Sequence, residues 1–136
     1  MSAEVEMELS RVEIHERGGK QLIALREKGG DRTFQIVIGY GEAAEIHRKL
    51  TQQQPLRPMT HDLVGSLLTA TKTEVSRVVV SDLIDATYYA QIHLTLADGS
   101  EEHLDARPSD AIALAVQVKA PIYVADSVLQ QLADGL

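Results

Sequence analysis

A chain of 136 residues has the length of one domain and can bury a core without covalent staples. Hydrophobic residues make up 44% and charged residues 24%, the balance of a soluble globular protein, and the absence of cysteine excludes disulfides and thiolate metal sites. The formal net charge of −7 argues against broad electrostatic capture of nucleic acid, and four Tyr with one Phe give no evident base-stacking platform. A nuclease whose own carboxylates hold a metal is not excluded by that charge. No apolar run approaches membrane-span length, and the acidic start Met-Ser-Ala-Glu-Val-Glu lacks the basic-then-apolar run of a signal peptide, so a cytoplasmic protein is expected.

From Glu4 to Leu9 acid and apolar residues alternate, which predicts a strand with one wet face; the phase slips near Ser10-Arg11, as a bulge would make it. Arg17-Gly18-Gly19-Lys20 reads as a hairpin turn, Gln21 to Glu27 as a second strand, and Phe34, Ile36 and Ile38 mark a third. Ala43, Ile46 and Leu50 form a helical stripe with Glu42, Glu45, Arg48 and Lys49 around it. After the extended stretch Leu56-Arg57-Pro58-Met59, Thr60 is placed to cap a helix in which Leu63, Val64, Leu67 and Leu68 share one face. Val75 to Ile84 and Tyr88 to Leu96 read as strands, Asp98-Gly99 as a hairpin turn, and Glu101 to Ala106 as a short strand.

That last strand runs into Asp105-Ala-Arg-Pro-Ser-Asp-Ala-Ile-Ala-Leu-Ala-Val116, around which the chain is organised. Pro108 or Ser109 starts a helix, and Asp110 lies in its first turn, where the helix dipole favours a carboxylate. From Ala111 to Val116 every residue is apolar, so this helix is expected at the centre of the core with Asp105, Arg107 and Asp110 at its mouth. Pro121-Ile-Tyr-Val124 is a short extended piece, and a final helix places Val128, Leu129 and Leu132 inward. The order of elements suggests an internal duplication of a three-strand, two-helix unit, about residues 4–71 and 75–134. The expected fold is therefore α+β, one domain over residues 1–136 built on one mixed, mostly antiparallel sheet with packed helices.

Two constellations carry chemistry. Arg57-Pro58-Met59-Thr60-His61-Asp62 sets His and Asp side by side at a helix start, where they can bind a divalent metal or do acid–base work; the same pair also reads as a helix cap. Asp105, Arg107 and Asp110 bracket a guanidinium with carboxylates, an arrangement suited to Mg²⁺ beside a phosphate clamp and equally to a salt-bridge cluster. His103 is expected to share a strand face with Asp105, which makes it a candidate third member of that cluster, while His93 belongs on the outer sheet face and His15 and His47 in solvent. There is no Walker loop, dinucleotide Gly fingerprint, His-Glu-x-x-His or nucleophile elbow.

Arg57-Pro-Met-Thr-His-Asp-Leu63 and Asp105-Ala-Arg-Pro-Ser-Asp-Ala-Ile-Ala-Leu-Ala115 resemble the two signature motifs of the bifunctional nuclease domain family. Ile38-Gly39 before Glu42-Ala43-Ala44, and Pro121-Ile-Tyr-Val124, fit the same pattern, so the resemblance covers nearly the whole chain. The family's Phe-Tyr-Ala before the second motif stands here as Tyr88-Tyr89-Ala90, and because the chain stops soon after the domain it resembles the stand-alone bacterial form. The resemblance implies a small α+β domain, often self-associating, with RNase and DNase activity in some plant members, and single-stranded RNA or DNA is the candidate partner. It points to Arg57, His61, Asp62, Asp105, Arg107, Ser109 and Asp110, with Glu42 as an outlier.

Two readings follow. In the first, Asp62, Asp105 and Asp110, with His61, position Mg²⁺ or Mn²⁺ and a water, while Arg57, Arg107 and Ser109 hold the phosphate. In the second, Arg57, Arg107, Asp62, Asp105 and Asp110 are a structural ion-pair network in a non-catalytic homo-oligomeric interaction module. Unpaired carboxylates in an open cleft favour the first, and saturated Arg–Asp pairs the second.

Overall fold

The runs of period two become strands, and the stripes of helical period become helices laid over them. The computed structural model describes residues 3–15 and 18–135, so Arg17 of the expected first turn lies outside the described residues. The elements are β1 (Glu4–Glu13), β2 (Gln21–Glu27), β3 (Thr33–Ile38), α1 (Tyr40–Leu50), α2 (Thr60–Ala70), β4 (Glu74–Ile84), β5 (Thr87–Thr95), β6 (Glu101–Ala106), α3 (Pro108–Val118), β7 (Ile122–Ala125) and α4 (Asp126–Ala133). All seven strands join one sheet in the order β3-β2-β1-β7-β4-β5-β6. Among the described residues only the β4–β7 pair is parallel, which makes this the mixed, mostly antiparallel sheet of an α+β fold.

Two three-strand meanders, β1-β2-β3 and β4-β5-β6, flank β7. The second half thus has a strand between its two helices that the first half lacks. Ile122 to Ala125 is too short to display a period, yet it forms ladders on both sides, with Glu4 to Met7 of β1 and Val78 to Val80 of β4. The phase slip in β1 is a bulge between Leu9 and Arg11, where the Ser10 hydroxyl donates to the Ala24 carbonyl across 3.1 Å.

Strand alternation divides the sheet. Ile23, Leu25, Ile36, Val78, Val80, Ile122 and Val124 belong to the hydrophobic core with the helices. The opposite face carries Glu4, Glu6 and Glu8 of β1, which pair across the sheet with Arg77, Lys28 and Arg26. The expected outer position of His93 is observed, and its ring stacks on that of His103, with 5.6 Å between centroids.

Helix α3 lies at the centre, as its composition requires: Ala111, Ile112, Ala113, Leu114 and Ala115 are all buried. Complete burial of a residue such as Ile112 contributes roughly 1.5–3 kcal/mol. Helix α2 departs from expectation. The N-cap residue is Met59 rather than Thr60, and no residue of the helix is buried. Leu63, Val64 and Leu67, expected to face inward, are exposed. The inward face instead carries Gly65, where a Cβ would lie 2.1 Å from Gln117 Nε2 of α3, so the glycine permits a close approach of the two helices. Charge rather than apolar surface holds the start of α2.

Candidate functional site

Three helices carry an acid at their third position: Glu42 in α1, Asp62 in α2 and Asp110 in α3. At that place a carboxylate faces unpaired backbone N–H groups and the positive end of the helix dipole. The Met59 N–H donates to Asp62 Oδ2 across 2.8 Å, closing the first turn of α2. Pro108 follows the N-cap residue Arg107 and fixes the entry to α3. The starts of α2 and α3 meet there: His61 Nε2–H donates to Asp110 Oδ1 across 3.0 Å, linking the two constellations.

From that contact a chain of charges runs in both directions. Arg107 donates through Nε to Asp110 Oδ2 at 2.8 Å and through Nη1 to Glu42 Oε1 at 3.0 Å. The other ring nitrogen of His61, Nδ1, faces Glu45 Oε2 at 3.9 Å. Glu45 pairs with Arg48 and, at 3.9 Å, with Lys49, and both cations also bind Asp62. Four carboxylates therefore enclose three permanent cations and one imidazole.

The electrostatics follow from these contacts. Burial pushes the Asp110 carboxyl up, but the hydrogen bonds and charges of Arg107 and His61 together outweigh it and hold the group below its ordinary value. Asp62 is held far below the usual carboxylate range, first by Lys49, then by the Met59 N–H and Arg48, against the opposing effect of burial. Arg107 is held firmly as a cation by Asp110 and then Glu42. Its side chain is nevertheless 63% exposed, so the guanidinium is open to a ligand.

Thr60, His61, Val64, Ile92, Arg107 and Asp110 line a cleft of about 500 Å³ beside this chain of charges. A smaller hollow of about 170 Å³ lies between Glu42, Glu45 and His61. Of the residues singled out in the sequence, His61, Asp110, Arg107 and Glu42 come together, and Asp62 joins them through Glu45, Arg48 and Lys49. Ser109 is buried, which removes it from the phosphate-binding set expected from the sequence. Arg57 is exposed and stands outside the network. Asp105 pairs in register with Gln91 of β5, one residue out of phase with the cleft residue Ile92, so it lies on the far face of the sheet with His103.

The residues that the sequence reading passed over are Glu45, Arg48 and Lys49. They looked like the solvated edge of an amphipathic helix, yet Lys49 is only 7% exposed. The available signal was their i, i+3 and i+4 spacing on one stripe.

A family model for the bifunctional nuclease domain matches residues 23–134, a span that contains both constellations. The chain belongs to that family. The uncharacterized protein Rv1829 of Mycobacterium tuberculosis (strain ATCC 25618 / H37Rv) is 36% identical over 126 residues, which cover 93% of this chain and 74% of that protein. Bifunctional nuclease 1 of Arabidopsis thaliana is 35% identical over 105 residues, 76% of this chain and 32% of that protein. Bifunctional nuclease 2 of Oryza sativa subsp. japonica is 29% identical over 114 residues, 82% of this chain and 35% of that protein. The chain thus corresponds to about a third of the plant proteins.

Membership raises the question of whether this bifunctional nuclease domain has a donor set for a divalent metal. Among the described residues, no group of three or more His, Asp or Glu is placed to hold one. Asp62 is occupied by Lys49, Arg48 and a backbone N–H, Asp110 by Arg107 and His61, and Asp105 is across the sheet. The carboxylates as arranged do not fit Mg²⁺ or Mn²⁺, which need several oxygen ligands at about 2.0–2.2 Å around one point. In this domain no helix among the described residues is long and apolar enough to cross a membrane.

Proposed function

We propose that this bifunctional nuclease domain cleaves phosphodiester bonds of single-stranded nucleic acid at the junction of α2 and α3, with His61 as the acid–base group, Asp110 as the residue that orients it and Arg107 as the phosphate ligand. The observation that carries the reading is the 3.0 Å contact between His61 Nε2 and Asp110 beside an exposed Arg107. A carboxylate accepting from Nε2–H fixes the imidazole tautomer and leaves Nδ1 to take a proton from the attacking water, or from the ribose 2′-hydroxyl in RNA, and to return it to the leaving oxygen as the P–O bond breaks. The Arg107 guanidinium offers two N–H groups in a plane to phosphate oxygens and stabilises the charge that develops on them.

A second reading has its own support. The mutual saturation of Asp62, Glu45, Arg48 and Lys49 is what a structural ion-pair network requires, and such a network suits a self-associating interaction module. One assay separates the readings: cleavage of labelled single-stranded RNA and DNA, in chelator and in Mg²⁺ or Mn²⁺, by the native protein, His61→Gln and Asp110→Asn purified identically. Cleavage that falls at least 100-fold in both variants, with their melting temperatures retained, supports the nuclease. Equal cleavage in all three assigns it to a contaminant. No cleavage, with a lowered melting temperature for Asp110→Asn, supports the network. Cleavage only with added cation would mean that Asp110 exchanges Arg107 for the metal.

A further inference from the structure

Arg107 stands between two clefts. One is the cleft that His61 and Asp110 line, which continues to Val64, Ile92 and Leu114. The other is a hollow of about 380 Å³ walled by Ile36, Ile38, Gly39, Thr87 and Tyr88, which the proposed reaction leaves unused. Tyr88 of the one and Ile92 of the other lie on the same face of β5, four residues and so about 13 Å apart. A phosphate on Arg107 therefore has a pocket on either side of it.

The unused hollow has the features of a nucleoside pocket. Its volume falls within the range of about 300–1,000 Å³ in which small ligands are enclosed. Tyr88 supplies an aromatic wall, and Phe34 holds that ring in place with 5.7 Å between centroids. Burial pushes the Tyr88 phenol up, so its hydroxyl stays a neutral donor near pH 7. The starts of α1 and α3 also open on the hollow, through Gly39 and Pro108, and neither helix has a side-chain cap. Two helix dipoles and the Arg107 guanidinium thus face the single carboxylate of Glu42, a local balance that admits phosphate in a chain of net charge −7.

We propose that this hollow receives a nucleoside of the single strand, its base stacked on Tyr88 and its phosphate on Arg107, while the nucleoside beyond that phosphate enters the His61 cleft. The inference deepens the nuclease reading and rests on it for the class of ligand. Bases that can be splayed apart are what a single strand offers and a duplex withholds, so a pocket on each side of one phosphate selects the single strand. Every base has a π-face, so stacking on one ring imposes little sequence preference. The sequence offers no platform of several rings; one ring suffices for one base.

The test is binding of a labelled eight-nucleotide thymidylate with cleavage-resistant phosphorothioate linkages, read by fluorescence anisotropy at low salt beside an abasic strand of the same length and linkages. The native chain is expected to bind the abasic strand about 10-fold to 100-fold more weakly. Tyr88→Leu is expected to lose the same factor for thymidylate and nothing further for the abasic strand. Tyr88→Phe, which keeps the ring, and Tyr89→Leu, on the other face of β5, are expected to bind thymidylate within about threefold of native. In cleavage the same factor belongs in KM rather than kcat. Equal affinity of the native chain and folded Tyr88→Leu for thymidylate, or no binding by the native chain, overturns the proposal. Should Tyr88→Leu not fold, Val37→Trp decides, because Val37 lines the same hollow, is 60% exposed and would carry the chain's one tryptophan. Quenching of its emission by thymidylate but not by the abasic strand supports the pocket, and an equal response to both overturns it. The two readings fail separately: binding as expected without any cleavage removes the nuclease and keeps the pocket, whereas cleavage lost in His61→Gln with affinity unchanged in Tyr88→Leu does the reverse.

Discussion

Asp62→Asn removes one charge and almost no volume, and its effect can be worked from the contacts. The Asn side-chain oxygen can still accept from the Met59 N–H, so the first turn of α2 is kept. What is lost is the anion facing Lys49, whose side chain is 7% exposed, and Arg48, which is 14% exposed. Both cations are then left to Glu45. Removing one partner of a fully buried pair costs about 3–5 kcal/mol; with Glu45 retained and Asp62 itself 24% exposed, the expected loss is about 2–3 kcal/mol. Urea unfolding followed by far-UV circular dichroism at neutral pH should show a lower midpoint with an unchanged slope. The difference must also depend on pH. Because the folded carboxyl lies below its unfolded value of about 3.9, Asp62 contributes its full stabilisation above about pH 5. That contribution is lost as the pH falls through 3.9 toward the depressed folded value, so native and variant curves converge in acid. A neutral-pH loss under about 0.5 kcal/mol, or a difference that does not shrink in acid, would refute the idea that this ion pair anchors α2.

Three further substitutions test the backbone and packing around the same helices. Lys119 caps α3 with φ +61°, a left-handed conformation that glycine adopts without strain; Lys119→Gly should raise stability by about 0.5–1 kcal/mol in the same unfolding experiment, and a loss would mean that its side chain is needed. At Gly65 the obstacle is the free end of the Gln117 side chain, so Gly65→Ala should change stability by less than about 1 kcal/mol. Gly65→Leu should cost about 1–3 kcal/mol by forcing α2 off α3, read as a lower melting temperature.

The strands and the central helix were legible because each has a pattern that only one environment satisfies. Alternating acid and apolar residues in β1 need one wet and one dry face, and six apolar residues after Asp110 need burial all round. Two features escaped for physical reasons. Strand β7 is four residues long, so its place between β1 and β4 is decided by pairing partners 121 and 44 positions earlier, as in Glu4 with Ala125 and Val78 with Ile122. The orientation of α2 was missed because hydrophobic periodicity assumes that apolar residues face the same chain's core, whereas His61 and Asp62 turn this helix the other way. The convergence of His61, Asp110 and Arg107 was suggested by residue type and resemblance. The placement of Asp105 across the sheet follows from strand alternation, which separates it from a cleft that Ile92 lines.

The position of β7 also constrains the order in which the molecule can assemble. Each meander can form from neighbouring residues as soon as it leaves the ribosome. The sheet that joins them cannot, because its central strand follows both meanders in the chain. Until Ile122–Ala125 arrives, β1 and β4 each present an open row of amide and carbonyl groups, the template on which chains pair wrongly. Closure then joins the two ends of the molecule in one step, with the Asp126 N–H donating to the Ala3 carbonyl across 2.9 Å. Long-range pairing of this kind forms slowly, so substitutions that weaken β7 are expected to slow folding and promote aggregation, as refolding rates and light scattering would show.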